Sequence, residues 1–98
     1  MTAPTFEWDP QKAAANLQAH RVSFEEAATT FQDPLANILD DPDHSAEERR
    51  AIIVGHSGQG RLLIVSFVDR GGNIRLISAR CATRRERRDH EEAKKNNC

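Results

Sequence analysis

The chain has 98 residues, 38% hydrophobic and 30% charged, with a net charge of −1. That length builds one hydrophobic core, which excludes a two-domain enzyme and any large cofactor fold. The longest apolar run, Leu62 to Val65, falls far short of the ~20 residues a membrane helix needs; the acidic start is no secretory leader and two cysteines make no disulfide framework, so a soluble cytoplasmic protein with one domain over 1–98 is expected.

Thr5 to Trp8 alternates polar and apolar and reads as a short first strand. Asp9-Pro10 is an N-cap followed by proline at the first helical position, predicting a helix to about His20. Ala13, Ala14, Leu17 and His20 then share one face. Ser23 and Glu26 match a capping box and open a second helix to about Phe31, which turns Phe24, Ala27, Ala28 and Phe31 inward. Asp33-Pro34 stops it. Leu35 to Leu39 reads as a strand, and Asp40 to Ser45 as a turn or loop. Arg50 to Ser57 is the next strand. Gly58-Gln59-Gly60 turns the chain into Arg61–Asp69, whose near-continuous apolar run predicts a central strand covered on both faces. Gly71-Gly72-Asn73 turns it again into a strand from Ile74 to Ala79. Thr83 and Glu86 form another capping box and open a helix to about Ala93. That helix has no apolar stripe but could carry i,i+4 ion pairs between Arg85 and Asp89, Arg87 and Glu91, and Arg88 and Glu92. The order β-α-α-β-β-β-β-α predicts an α+β fold, with two N-terminal helices packed on an antiparallel sheet plus a C-terminal helix.

Charge is unevenly placed. Residues 1 to 48 hold ten acidic and two basic side chains, whereas residues 49 to 98 hold twelve basic, ten of them arginine, and five acidic. Arginine grips phosphate in a two-donor fork, so the asymmetry points to a nucleic-acid partner or an acidic protein partner. Two oppositely charged surfaces of an ordinary domain would give the same count.

Phe6-Glu7-Trp8-Asp9-Pro10 with Lys12 and Asn16, then Val22-Ser23-Phe24-Glu25-Glu26-Ala27, resemble the opening of the BrnT family. Gly60-Arg61-Leu62-Leu63, Ile74 to Arg80, and Ala82 to Arg87 resemble later blocks of the same family, in the same order. The resemblance implies a ribonuclease toxin of a bacterial type II toxin–antitoxin pair with a RelE-like fold. It implies neutralisation by a BrnA-type antitoxin, and repression of the operon by a dimer of toxin–antitoxin pairs in which the antitoxin reads the DNA. Three positions depart from the family pattern: Arg21 where glycine usually ends the first helix, Cys81 where a basic residue is common, and His90 where an aromatic is common.

Metal-free RNA cleavage uses the substrate's 2'-hydroxyl as nucleophile, and arginines can stabilise the charge that builds on the phosphate. Arg80 and Arg75, both inside the resembling block, are the first candidates. Five residues apart, they would point to opposite faces of a regular strand, so a bulge or the strand's end is needed to unite them. Arg80 could instead pair with Glu7 or Asp9. His56, which shares a strand face with Ile52 and Val54, could be a general base or a structural histidine. Arg84 and Arg85 at the last helix start, and Arg61 and Lys12, could contact phosphates or be plain surface charges. Trp8 could stack on a base or anchor the core. The Asp40–His44 segment could hold magnesium, but it is also ordinary turn chemistry. Neither a metal nor a cofactor is expected. A non-catalytic RNA- or protein-binding module, or a DNA-binding repressor, are the other functions compatible with this sequence.

Overall fold

Local capping starts both early helices where the sequence predicts. In the computed structural model, which describes residues 4–40 and 50–96, the elements are β1 (Thr5–Glu7), α1 (Pro10–His20), α2 (Phe24–Thr29), a 3-10 turn (Thr30–Gln32), β2 (Asn37–Asp40), β3 (Arg50–His56), β4 (Leu62–Arg70), β5 (Asn73–Cys81) and α3 (Arg84–Asn96). Asp9 Oδ1 accepts from the Gln11 N–H at 2.8 Å, and Ser23 Oγ accepts from the Glu26 N–H at 3.0 Å. The reciprocal half of the Ser23 box is absent, because the Glu26 carboxylate turns inward to Ser57 and Arg61. α1 ends with Arg21 in the left-handed region (φ 60°), the conformation glycine adopts most cheaply. The strain is offset locally: the Arg21 carbonyl accepts from Arg61 Nη2 at 3.0 Å.

The five strands form one sheet in the order β1-β5-β4-β3-β2. β2 to β5 pair antiparallel, with β4 central as its apolar run requires. β1 departs from the expected antiparallel arrangement. As an edge strand it lies parallel to β5, with Phe6 opposite Ile74, so the sheet is mixed. The β4–β5 hairpin closes on Gly71 and Gly72, whose φ of 62° and 103° suit a tight two-residue turn between Arg70 and Asn73.

One face of the sheet carries the core. Ile53, Leu63, Val65, Phe67, Ile74, Leu76 and Ala79 meet Val22, Phe24 and Ala27 there. Edge-to-face rings of Phe6, Phe31 and Phe67 continue it, with centroids 5.2 and 5.0 Å apart.

Three early elements differ from the sequence reading. The second helix tightens into a 3-10 turn at Thr30, whose hydroxyl donates to the Ala27 carbonyl at 2.7 Å. On α1, Ala14, Leu17 and His20 are exposed, and the buried residue is Asn16. Its amide donates to the carbonyls of Val22 and Ala79, both at 2.9 Å, and accepts from the Ala79 N–H at 3.0 Å. A polar side chain therefore fastens α1 to β5. The strand expected at Leu35–Leu39 forms two residues later as an edge strand, with Leu35, Ile38 and Leu39 exposed.

Candidate functional site

The second face of the sheet is where the cationic half of the chain collects. Ser66 of β4 pairs with Ser78, but the next residue, Phe67, pairs with Leu76. Ile77 is thus one extra residue in β5, a β-bulge that reverses the strand's alternation. Ile74 and Leu76 before it, and Ala79 after it, all face the core. Arg75 and Arg80 consequently share the opposite face, as the sequence reading required of any joint role. Across the sheet, Arg75 is flanked by Glu7, Val68 and Arg50, and Arg80 by Ile64, Val54 and Asn37. Between those rows lie Ser78, Ser66, Ile52 and Leu39. Arg70 occupies the same face and reaches Glu7 at 3.9 Å. At ~3.3 Å per residue the Arg75 and Arg80 Cα atoms are roughly 16 Å apart, so they address different groups of one extended ligand.

Arg80 is not paired with Glu7 or Asp9. Its Nη1 and Nη2 donate to the two oxygens of Glu86, at 2.7 and 2.9 Å. Glu86 reaches it because the Thr83 capping box is complete: the Glu86 N–H donates to Thr83 Oγ1 at 3.1 Å, and Glu86 Oε1 accepts from the Thr83 N–H at 2.8 Å. Sequence reasoning found the box but not its second consequence. A glutamate folded back to the helix start also faces the end of the preceding strand. The Arg80 guanidinium, helped by the Thr83 N–H, holds the Glu86 carboxyl down to about 2, from an ordinary value of 4.5. Its folded-state affinity for protons is lowered, so this carboxylate stabilises the fold above pH 4.5, and the contribution fades as pH falls towards 2. Urea titrations of wild type and Glu86→Gln are therefore expected to differ at neutral pH and to converge over that acidic interval. A gap that persists at pH 2 would place the stabilisation elsewhere.

His56 lies on the same face by register, opposite Leu62. Two strands and two residues put its Cα about 12 Å from that of Arg80. Asp33, which the sequence reading used only as a helix stop, accepts from the His56 N–H at 2.8 Å and lies 3.5 Å from its Nδ1. Hydrogen bonds from the His56 and Leu35 N–H groups outweigh burial and lower the Asp33 carboxyl below the usual carboxylate range. The His56 ring stands 5.8 Å from that of His90, which α3 buries against the sheet. Beside them a groove of about 380 Å³ runs between α3 and the sheet, lined by Asn37, Leu39, Val54, Ile64, Glu86 and Asp89 among others. It separates the Arg80 end of the face from the edge strand β2.

Several sequence candidates fall outside this face. Trp8 packs edge-on against Phe24 at 5.9 Å and lies half-buried against the core. Lys12 is exposed on α1, the helix that Asn16 ties to the core side of β5. Arg61 is also on the helix side. Its Nε donates to Glu26 Oε2 at 2.9 Å and its Nη2 to Glu26 Oε1, while Nη1 approaches Cys81 Sγ at 3.6 Å. That bidentate pair, with Ser57 adding a 2.7 Å bond, holds the Glu26 carboxyl below its ordinary range. Arg61 therefore neutralises a buried carboxylate and is not offered to a phosphate. Arg84 and Arg85 are exposed in the first turn of α3, close in sequence to Arg80. The three ion pairs expected along α3 do not form. Arg85, Arg87 and Arg88 stay exposed and unbridged to Asp89, Glu91 and Glu92, so the outer side of α3 carries charges of both signs. Of the Asp40–His44 segment only Asp40 lies within the described residues. Among those residues no three histidines, cysteines or carboxylates converge as metal ligands, and no helix is long and apolar enough to cross a membrane.

Residues 8–86 match the family model described as the ribonuclease toxin BrnT of a type II toxin–antitoxin system. The crystal structure of the Brucella abortus ribonuclease toxin BrnT superposes with a TM-score of 0.63 over 85% of this chain and all of that one, at 21% identity. At that identity the likeness speaks to fold alone. No curated protein sequence matches the chain significantly.

Proposed function

The chain belongs to the BrnT family of ribonuclease toxins of type II toxin–antitoxin systems, and on that footing we propose that it is an endoribonuclease toxin that binds RNA across the Arg75–Arg80 face and cleaves it without a metal or cofactor. The 2'-hydroxyl of the substrate attacks the adjacent phosphorus, its proton passes to His56, and Arg80 stabilises the extra charge on the phosphate oxygens. The bond to the 5'-oxygen breaks, and that oxygen takes up a proton from water. Arg75, at the other end of β5, steadies a neighbouring phosphate, and Arg84 and Arg85 extend the cationic track.

The rest of the reading follows the family. One domain with a RelE-like fold acts in the cytoplasm and halts translation by cutting RNA. A BrnA-type antitoxin neutralises it, and a dimer of such pairs represses the operon through DNA contacts made by the antitoxin. The excess of acidic residues in the N-terminal half suits a basic antitoxin segment or a dimer contact.

The observation that supports this reading best is the bulge at Ile77, since without it Arg75 and Arg80 would face opposite ways. Purified protein incubated with RNA in excess chelator is expected to generate discrete fragments. RNA retained intact on the protein would favour the binding-module alternative, and binding of operator DNA without antitoxin would favour a repressor.

A further inference from the structure

A guanidinium carries five N–H donors in a rigid plane. In Arg80, Nη1 and Nη2 each give one to a Glu86 oxygen, at 2.7 and 2.9 Å, and Nη1 gives its second to the Cys81 carbonyl at 3.3 Å. The two Glu86 contacts lie at the tip of the group, and the Cys81 contact is made by Nη1, away from Nε. Two donors are left over, Nε–H and the second proton of Nη2. They lie on one edge and form the other two-pronged fork, the one suited to a pair of phosphate oxygens. The Arg80 side chain is 42% exposed, and the structure gives neither of these two donors a protein partner. Glu86 is itself held through Thr83 at both its backbone and its carboxylate, at 3.1 and 2.8 Å. Swinging away would cost it the bond to the Thr83 N–H as well as both bonds to Arg80.

We infer that Glu86 is a positioning residue for phosphate capture: it grips Arg80 by the tip and presents the Nε/Nη2 edge, already oriented, to a phosphodiester of RNA. The rotamer freedom that a loose arginine would lose on binding is here lost on folding. A carboxylate beside a cation weakens its field. That loss is outweighed if alignment, rather than bare charge, limits the reaction, because small misplacements of a catalytic group are costly. The opposite arrangement, a plug that occupies the phosphate's place, would require Glu86 to cover both edges, and it covers one.

This inference rests on the reading of Arg80 as the phosphate-binding group, and the test separates the two. Glu86→Gln keeps an oxygen for the Thr83 cap but loses the charge and one acceptor; Glu86→Ala loses both. Their folding is checked by thermal melts. In RNA cleavage, kcat is expected to fall about tenfold in Glu86→Gln and about a hundredfold in Glu86→Ala, with the loss in kcat exceeding any change in KM. Independently of cleavage, the Arg80 Nε–Hε NMR signal, assigned with Arg80→Ala, is followed during titration with inorganic phosphate. The wild-type signal is expected to shift, and the Glu86→Ala signal to need about tenfold more phosphate. Faster cleavage or tighter phosphate binding in the Glu86 variants would make Glu86 a plug and overturn the inference. Wild-type behaviour of the folded variants in both assays overturns it too, and if Arg80→Ala meanwhile abolishes cleavage the reading of Arg80 survives. Unchanged cleavage by Arg80→Ala sinks both.

Discussion

Replacing Arg80 by alanine is expected to reduce RNA cleavage by about 10²–10³-fold, the range seen when one donor to a developing oxyanion is removed, and to relieve growth arrest. The guanidinium is the one candidate that combines a fixed orientation, a free two-donor edge and a place on the open face of the sheet. The fold should survive. Arg80 and Glu86 are 42% and 35% exposed, and a surface ion pair of this kind contributes at most about 1 kcal/mol. Arg80→Lys is a sharper version of the same test, because it keeps the charge and loses the fork. Initial cleavage rates with circular dichroism on the same samples measure the effect. A folded Arg80→Ala protein that still cuts RNA at the wild-type rate would move the site elsewhere.

The largest effect on stability is expected from Asn16→Ala. The Asn16 side chain is buried, and its loss leaves the Val22 carbonyl and both backbone groups of Ala79 without the bonds it makes at 2.9–3.0 Å. A buried polar group stranded in this way costs about 1–3 kcal/mol, and three stranded by one substitution should remove about 3–5 kcal/mol in urea unfolding. That is a large part of the 5–15 kcal/mol that holds a typical domain together. Asn16→Leu should do no better, since it fills the space without meeting the donors and acceptors. Ala79 directly precedes Arg80, but Arg80 is gripped from α3 by Glu86, so molecules that stay folded keep the candidate site. Cleavage should then fall with the folded fraction rather than through kcat of the folded protein. A loss below about 1 kcal/mol would mean that water satisfies these groups instead.

Asn16 also shows why part of the fold was not legible from the chain alone. Helical spacing ranks positions by apolarity, and α1 offers mostly alanines, so Ala13, Ala14, Leu17 and His20 looked like the inner face. The side that turned inward was chosen by hydrogen bonds to a strand 63 residues away, which no local pattern encodes. The acidic partner of Arg61 is similar. Glu26 sits in a capping-box frame, but a cation 35 residues downstream draws its carboxylate into the interior instead.

By itself the sequence determined the order of helices and strands, the caps at Asp9, Ser23 and Thr83, the turns at paired glycines, the central place of β4, and a family resemblance that the match over residues 8–86 upholds. These are local properties: capping, periodicity and turn chemistry act over a few residues and can be read in a few residues. Tertiary structure alone decided that β1 joins β5 in parallel, that Arg61 and Trp8 serve the interior, and that Glu86 rather than Glu7 holds Arg80. It also decided that Arg75 and Arg80 face the same way. Strand alternation has a period of two, and a single unpaired residue, Ile77, reverses it for everything beyond. Whether such a residue exists depends on how β5 aligns with β4, a register that is settled only when the two strands meet.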